Sequence, residues 1–233
     1  MCHAVLGSSA GIGFAYARHF AALGHRLVLV ARRPSRLEEA AETLRQAGAI
    51  EAICIVGDLA DPHSRAMVLE RLAGNHFASV LVGGPSPPAG RFDKITSEDF
   101  RLAMEVALLY PLEVLRWALA GNLVAGSFLR IVGSAATQQP LKGNPFLLSA
   151  VFRSELERLT GLLLPDMKRQ GIHLRLWKPV VVLTELSSLY AASRVERAQR
   201  SDPRKALELI FGEPVPTAEE YVQEVLRSEG LDG

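Results

Sequence analysis

Short, unbroken apolar runs alternate along most of the chain with longer segments whose apolar residues recur every three or four positions. The runs are Ala4-Val5-Leu6, Arg26–Ala31, Ala52–Val56, Ala78–Val82, Phe128–Val132 and Ile172–Trp177, six in all. Each is too short for a helix and too uniformly apolar for a strand with one wet face, so each reads as a strand covered on both sides. The intervening segments read as helices, and several carry start signals. Ser35 with Glu38 has capping-box spacing for a helix through Gln46, and Asp61-Pro62 places an N-cap before a first-turn proline. Thr96 with Asp99 opens a helix to about Ala120, and another spans roughly 147–169. Near the C-terminus Asp202-Pro203 starts a helix through Phe211, and Thr217 with Glu220 caps one running to about Ser228. Strand–helix alternation of this kind predicts an α/β fold: a doubly wound, Rossmann-type parallel sheet in a single domain, 1–233. Its last part, 185–233, is a helical lid and C-terminal segment with no apolar run left for a seventh strand.

Composition narrows the partners. Lys plus Arg less Asp plus Glu is 26 − 25 = +1, and apolar residues make up 48% of 233. That balance gives no electrostatic case for nucleic acid or an anionic membrane. No run reaches the ~20 apolar residues of a membrane span, and no signal-like start is visible. Cys2 and Cys54 read as free thiols, and no metal-ligand spacing occurs. A cytoplasmic protein acting on a small molecule is expected.

The first strand runs into Gly7-Ser8-Ser9-Ala10-Gly11-Ile12-Gly13. Gly7 permits a tight turn, Gly11 lets backbone approach a phosphate, and Gly13 lets the following helix pack on the sheet. The helix start offers unpaired N–H groups and the positive end of its dipole to a diphosphate. Gly7, Ser8, Ser9, Gly11, Ile12 and Gly13 are therefore the expected phosphate cradle. Other chemistry-bearing residues fall at the carboxyl ends of the remaining strands, where ligands of such sheets lie: Arg32-Arg33, Asp58, Gly83-Gly84, Ser134 and Lys178-Pro179.

With these motifs in this order, the chain from Ala4 to about Leu226 resembles the short-chain dehydrogenase/reductase superfamily. The resemblance implies that Asp58, with Leu59, contacts the adenine. Gly83-Gly84-Pro85-Ser86 stands as an altered Asn-Asn-Ala-Gly segment, and Ser134 corresponds to the catalytic serine. Pro179-Val180 corresponds to the Pro-Gly turn, and Thr184 to the threonine on the nicotinamide carboxamide. It also implies a homodimer paired through helices 97–120 and 147–169. Cofactor choice follows from charge. An acidic residue ending the second strand would repel a 2′-phosphate, and here Arg32 and Arg33 stand instead, donors that favour NADP(H).

The pattern breaks at the proton-handling pair. The family's tyrosine and the lysine four residues later fall on Ser149 and Arg153, and no tyrosine lies between Ser134 and Arg158. The supporting asparagine falls on Ala107. A serine hydroxyl is a far weaker acid than a phenol of pKa near 10. Lys142 is poorly placed to substitute. Tyr190 is a candidate phenol from the lid, while Tyr110 and Tyr16 read as packing residues. Three functions stay open: an NADP(H)-dependent oxidoreductase with an atypical site, a non-redox lyase or isomerase using Ser134, Ser149 and Arg153, and a catalytically silent nucleotide-binding protein.

Overall fold

The computed structural model describes residues 1–134, 146–179, 182, 187, 202–211 and 214–231. Six parallel strands are seen among them: β1 (Cys2–Leu6), β2 (Arg26–Ala31), β3 (Glu51–Val56), β4 (Ser79–Val82), β5 (Phe128–Val132) and β6 (His173–Trp177). Their spatial order is β3-β2-β1-β4-β5-β6. The chain thus winds outward from β1 in one direction, then from β4 in the other, which opens a crevice at the carboxyl ends of β1 and β4. Val5 lies opposite Leu29 on one side and Leu81 on the other, all three fully buried.

Helices cover both faces. On one side α1 (Gly11–Ala22) and α2 (Pro34–Gln46) enclose Val5, Leu27, Leu29 and Leu81. On the other, α3 (Pro62–Leu72), the long helix containing α4 (Ser97–Met104) and α5 (Tyr110–Trp117), and α6 (Leu147–Arg169) enclose Leu6, Val80, Leu129 and Ile131. The C-terminal pair is α7 (Pro203–Phe211) and α8 (Ala218–Ser228). Ala218, Val222 and Leu226 of α8 join the core under α1, so α8 is part of the body of the domain.

Asp61 caps α3 by accepting from the Ser64 N–H, and complete capping boxes open α4 (Thr96, Asp99) and α8 (Thr217, Glu220). The expected Ser35–Glu38 box does not form. Pro34, with φ preset for the first turn and no N–H to satisfy, starts α2 two residues earlier, with Arg33 as its N-cap. Glu38 accepts from Arg45 Nη1 at 3.0 Å instead. The long helix also departs from a uniform α-helix. Pro111 cannot donate to the Ala107 carbonyl, and the backbone widens to a π-helical stretch, Glu105–Leu109, closed by the Tyr110 N–H on the Glu105 carbonyl.

Candidate functional site

The crevice beside β1 is lined by Gly7, Ser9, Ala10, Ala31, Arg32, Arg33, Gly57, Asp58, Leu59, Gly84 and Pro85, and encloses about 650 Å³ including its open mouth. Its floor is backbone brought close by missing side chains. Gly7 has φ +83°, and a Cβ there would sit 2.6 Å from the Gly84 nitrogen. A Cβ on Gly13 would sit 2.1 Å from the Gly7 carbonyl oxygen. Only glycine fits either place.

α1 begins without a side-chain cap: Ala10 is extended at the N-cap, and the first turn contains no acidic residue. The first helical hydrogen bond is from Phe14 N to Ala10 O at 3.3 Å, which leaves the amides of Gly11, Ile12 and Gly13 without intrahelical acceptors. A run of unpaired donors at the positive end of a helix suits an anion. Ser8 sits differently from expectation. It is fully buried, and both its amide and its hydroxyl donate to the Val30 carbonyl, at 3.1 and 3.2 Å. It braces the turn against β2 and does not line the crevice, whereas Ser9 does.

Arg32 and Arg33 leave β2 exposed on the rim of the crevice, and among the described residues no carboxylate holds either. Across from them, Asp58 accepts from the Ala60 amide through one oxygen, and its own N–H donates to Ser64 Oγ. Behind Asp58 lies a residue that pattern reading passes over. Arg65 is wholly buried, donating to the Leu59 carbonyl at 2.9 Å, to both Glu113 oxygens at 2.7 and 2.8 Å, and to Glu105 at 2.6 Å. Its hydrogen bond to Leu59 and its pairing with the long helix hold the crevice wall in place. The available signal is its position: with Val68, Leu69 and Leu72 it completes the buried stripe of α3, where a charge demands a partner. Gly83 and Gly84 are fixed from the same helix. The Tyr110 hydroxyl donates to the Gly83 carbonyl at 2.8 Å, and its ring lies against Gly84.

At the carboxyl end of β5 the second half of the site assembles. Gly133 N donates to the Trp177 carbonyl at 2.7 Å, tying β5 to β6 just before half-buried Ser134. Ser149 and Arg153 lie one turn apart on α6 and so share a face. Arg153 Nη1 donates to the carbonyls of Val132 at 2.6 Å and Gly133 at 2.5 Å, which brings its guanidinium to the strand end beside Ser134. Burial pushes this guanidinium down to about 10, so it stays charged at neutral pH and exchanges no protons there. Lys178 is half-buried and paired, its Nζ lying 2.7 Å from Glu157. Pro179 is half-buried beyond β6. Thr184, Val180, Lys142 and Tyr190 lie outside the described residues.

Two tyrosines have definite partners elsewhere. Tyr16 is fully buried, with its hydroxyl hydrogen-bonded to Ser79 at the amino end of β4, opposite the crevice. Tyr110 is committed to Gly83, and burial raises its phenol well above the usual value. Among the described residues no helix is long and apolar enough to cross a membrane, and no three His, Cys, Asp or Glu gather as a metal site.

Residues 2–193 match the family model described as short chain dehydrogenase. The chain is 38% identical over 87 residues to a hydroxysteroid 11-beta-dehydrogenase 1-like protein of Danio rerio, a match spanning 36% of this chain and 30% of that protein. A relative of the same description in Macaca fascicularis is 28% identical over 213 residues, 88% of this chain and 72% of that one. Among solved structures, L-sorbose reductase from Gluconobacter frateurii, complexed with NADPH and L-sorbose, superposes with a TM-score of 0.83. It is 21% identical, covering 97% of this chain and 88% of that chain.

Proposed function

This chain belongs to the short chain dehydrogenase family, and from that premise we propose that it is an NADP(H)-dependent oxidoreductase acting on a small carbonyl or hydroxyl compound through an atypical proton-handling site. The observation that carries the reading is the uncapped start of α1 above the Gly7–Gly13 contact, with two exposed arginines that no carboxylate holds among the described residues on the rim of the same crevice. The cradle fits a dinucleotide because its floor is bare backbone, packed so closely that a Cβ on Gly7 would strike the Gly84 nitrogen and one on Gly13 the Gly7 carbonyl. In this reading the amides of Gly11, Ile12 and Gly13 take the diphosphate, Asp58 and Leu59 flank the adenine, and Arg32 and Arg33 take a 2′-phosphate. Pro179 lies toward the nicotinamide, and Thr184 is the residue that the family resemblance assigns to its carboxamide. The dinucleotide, when bound, supplies or accepts a hydride. Ser134 and Ser149 donate hydrogen bonds to the substrate oxygen, and Arg153 adds positive charge near it.

A catalytically silent nucleotide-binding protein is the second reading, favoured by the absence of a tyrosine between Ser134 and Arg158 and by the commitments of Tyr16 and Tyr110 elsewhere. Calorimetry with NADPH and NADH, followed by absorbance assays of NADPH oxidation against a panel of ketones and aldehydes, separates the two. Tight NADPH binding with turnover supports the oxidoreductase, and binding without turnover supports the silent protein. Failure of NADPH to bind refutes both. Turnover of a substrate without any nucleotide would point instead to lyase or isomerase chemistry.

A further inference from the structure

Arg153 holds a charge that its surroundings use only in part. Both hydrogens of Nη1 go to the carbonyls that end β5. Nε is enclosed and has no acceptor, and among the described residues Nη2 makes no hydrogen bond either. A buried guanidinium is ordinarily matched by a carboxylate, as Arg65 and Arg130 are here by Glu113 and Glu229. The acids of α6 are all engaged with other cations. Glu157, the i+4 neighbour that helical spacing offers to Arg153, pairs with Lys178, Glu155 lies 3.9 Å from Arg158, and Asp166 pairs with Arg169.

We propose that the Nε–Nη2 edge of Arg153 is a receptor for a carboxylate on the substrate, so that the compound taken at the carboxyl end of β5 is an anionic oxo or hydroxy acid. The inference rests on the reading of this crevice as an oxidoreductase site. Three features support it. Anchoring Nη1 to two backbone carbonyls fixes the plane of the guanidinium and leaves its side edge, two roughly parallel N–H donors, without an acceptor among the described residues. That edge matches the two oxygens of a carboxylate. The charge sits beside Ser134, so a carboxylate held there would present the neighbouring carbonyl to the serine hydroxyl. A neutral acceptor, such as a ribose hydroxyl, would satisfy one donor and leave the charge uncompensated.

The test uses acid and methyl-ester pairs of one ketone, levulinate with methyl levulinate and benzoylformate with methyl benzoylformate. Binding to the NADPH-saturated full chain is measured by calorimetry. In parallel, thermal shifts of the nucleotide-free protein are compared with sodium chloride at matched ionic strength. Wild type is expected to favour at least one acid over its ester by about 10–100-fold, the range of one or two charge-assisted hydrogen bonds. Arg153→Met is expected to bring the ratio near one, and Arg153→Lys to restore part of it. The idea fails if neither acid is preferred by wild type, or if Arg153→Met keeps the preference. It also fails if the substitution weakens NADPH binding while acid and ester stay equal, which would assign the guanidinium to the nucleotide. Should Arg153→Met not fold, the wild-type ratio and Arg153→Lys still decide. Loss of NADPH binding in wild type would refute the oxidoreductase reading, while the thermal shifts would still report on the carboxylate.

Discussion

The hydroxyl of Tyr110 donates to the carbonyl of Gly83 at 2.8 Å, fastening the long helix to the loop that closes one side of the crevice. This phenol is a brace, and the size of its effect distinguishes that role from catalysis. Tyr110→Phe removes one neutral hydrogen bond, worth about 0.5–1.5 kcal/mol, and frees Gly83 to move. A melting temperature lowered by a few degrees and a several-fold weaker NADPH affinity are expected, with turnover largely kept. A loss of about 10²–10⁴ in rate would instead mark Tyr110 as a general acid.

Gly13 is the position least able to change. A methyl group there would lie 2.1 Å from the Gly7 carbonyl, and neither backbone can yield without moving α1 off the sheet. Gly13→Ala should cost about 1–3 kcal/mol in stability, as overpacking does. Because the shift displaces the amides of Gly11 and Ile12, NADPH binding should fall by more than the stability change alone would suggest. Calorimetry on the folded fraction checks this.

Arg32 and Arg33 are exposed on the rim of the crevice and, among the described residues, paired with no carboxylate, so removing them tests cofactor choice with little risk to folding. Charge-assisted hydrogen bonds contribute about 1.5–3 kcal/mol each. The double variant Arg32→Ala/Arg33→Ala is therefore expected to weaken NADPH by roughly 10–100-fold and to leave NADH unchanged. Equal losses for both nucleotides would show that the arginines do not read the 2′-phosphate.

The strands and the glycine cradle are legible in the chain because continuous apolar runs and glycine spacing are local signals. Six strands appear within a residue or two of where apolarity places them. Elements that depend on a distant partner are not legible in this way. The start of α2 turns on Pro34 prevailing over Ser35, and the π stretch at Glu105–Leu109 on Pro111 downstream. Arg65 looks like an ordinary helix charge until Glu105 and Glu113, at least forty residues on, meet it. Ser8 lies inside the motif, yet its hydroxyl turns to Val30, because motif spacing fixes backbone and not side-chain direction.

We further expect pairing through α4 and α6. Phe100, whose ring packs edge-on against Phe152 at 5.0 Å, is 46% exposed, and Leu102 and Val151 are also exposed. Light scattering should give twice the chain mass, and Val151→Glu should shift it toward the monomer. A monomeric wild type at micromolar concentration would refute the pairing.

The last prediction concerns acid. At the amino ends of the strands runs a chain of hydrogen bonds that begins at Arg130. Its guanidinium, paired with Glu229, donates to the Tyr16 hydroxyl at 3.1 Å. Tyr16 is hydrogen-bonded to Ser79, Ser79 to His3 Nδ1, and His3 Nε2 to His25 Nδ1. His3 is neutral within this chain. Burial first, then the nearby positive charges of His25, the N-terminal amine, Arg130 and His19, push its pKa down to about 3. In the unfolded chain His3 titrates near 6.5. Between these values the unfolded state binds a proton that the folded state refuses, so stability is full above about pH 6.5 and declines as pH falls toward 3. The slope approaches about 1.4 kcal/mol per pH unit for this one site. His25, displaced in the same direction mainly by burial, adds with the same sign. Denaturant midpoints measured from pH 7.5 to 5 should fall accordingly, and His3→Gln should flatten the fall. A wild-type midpoint that stays level over that range would show His3 charging within the fold.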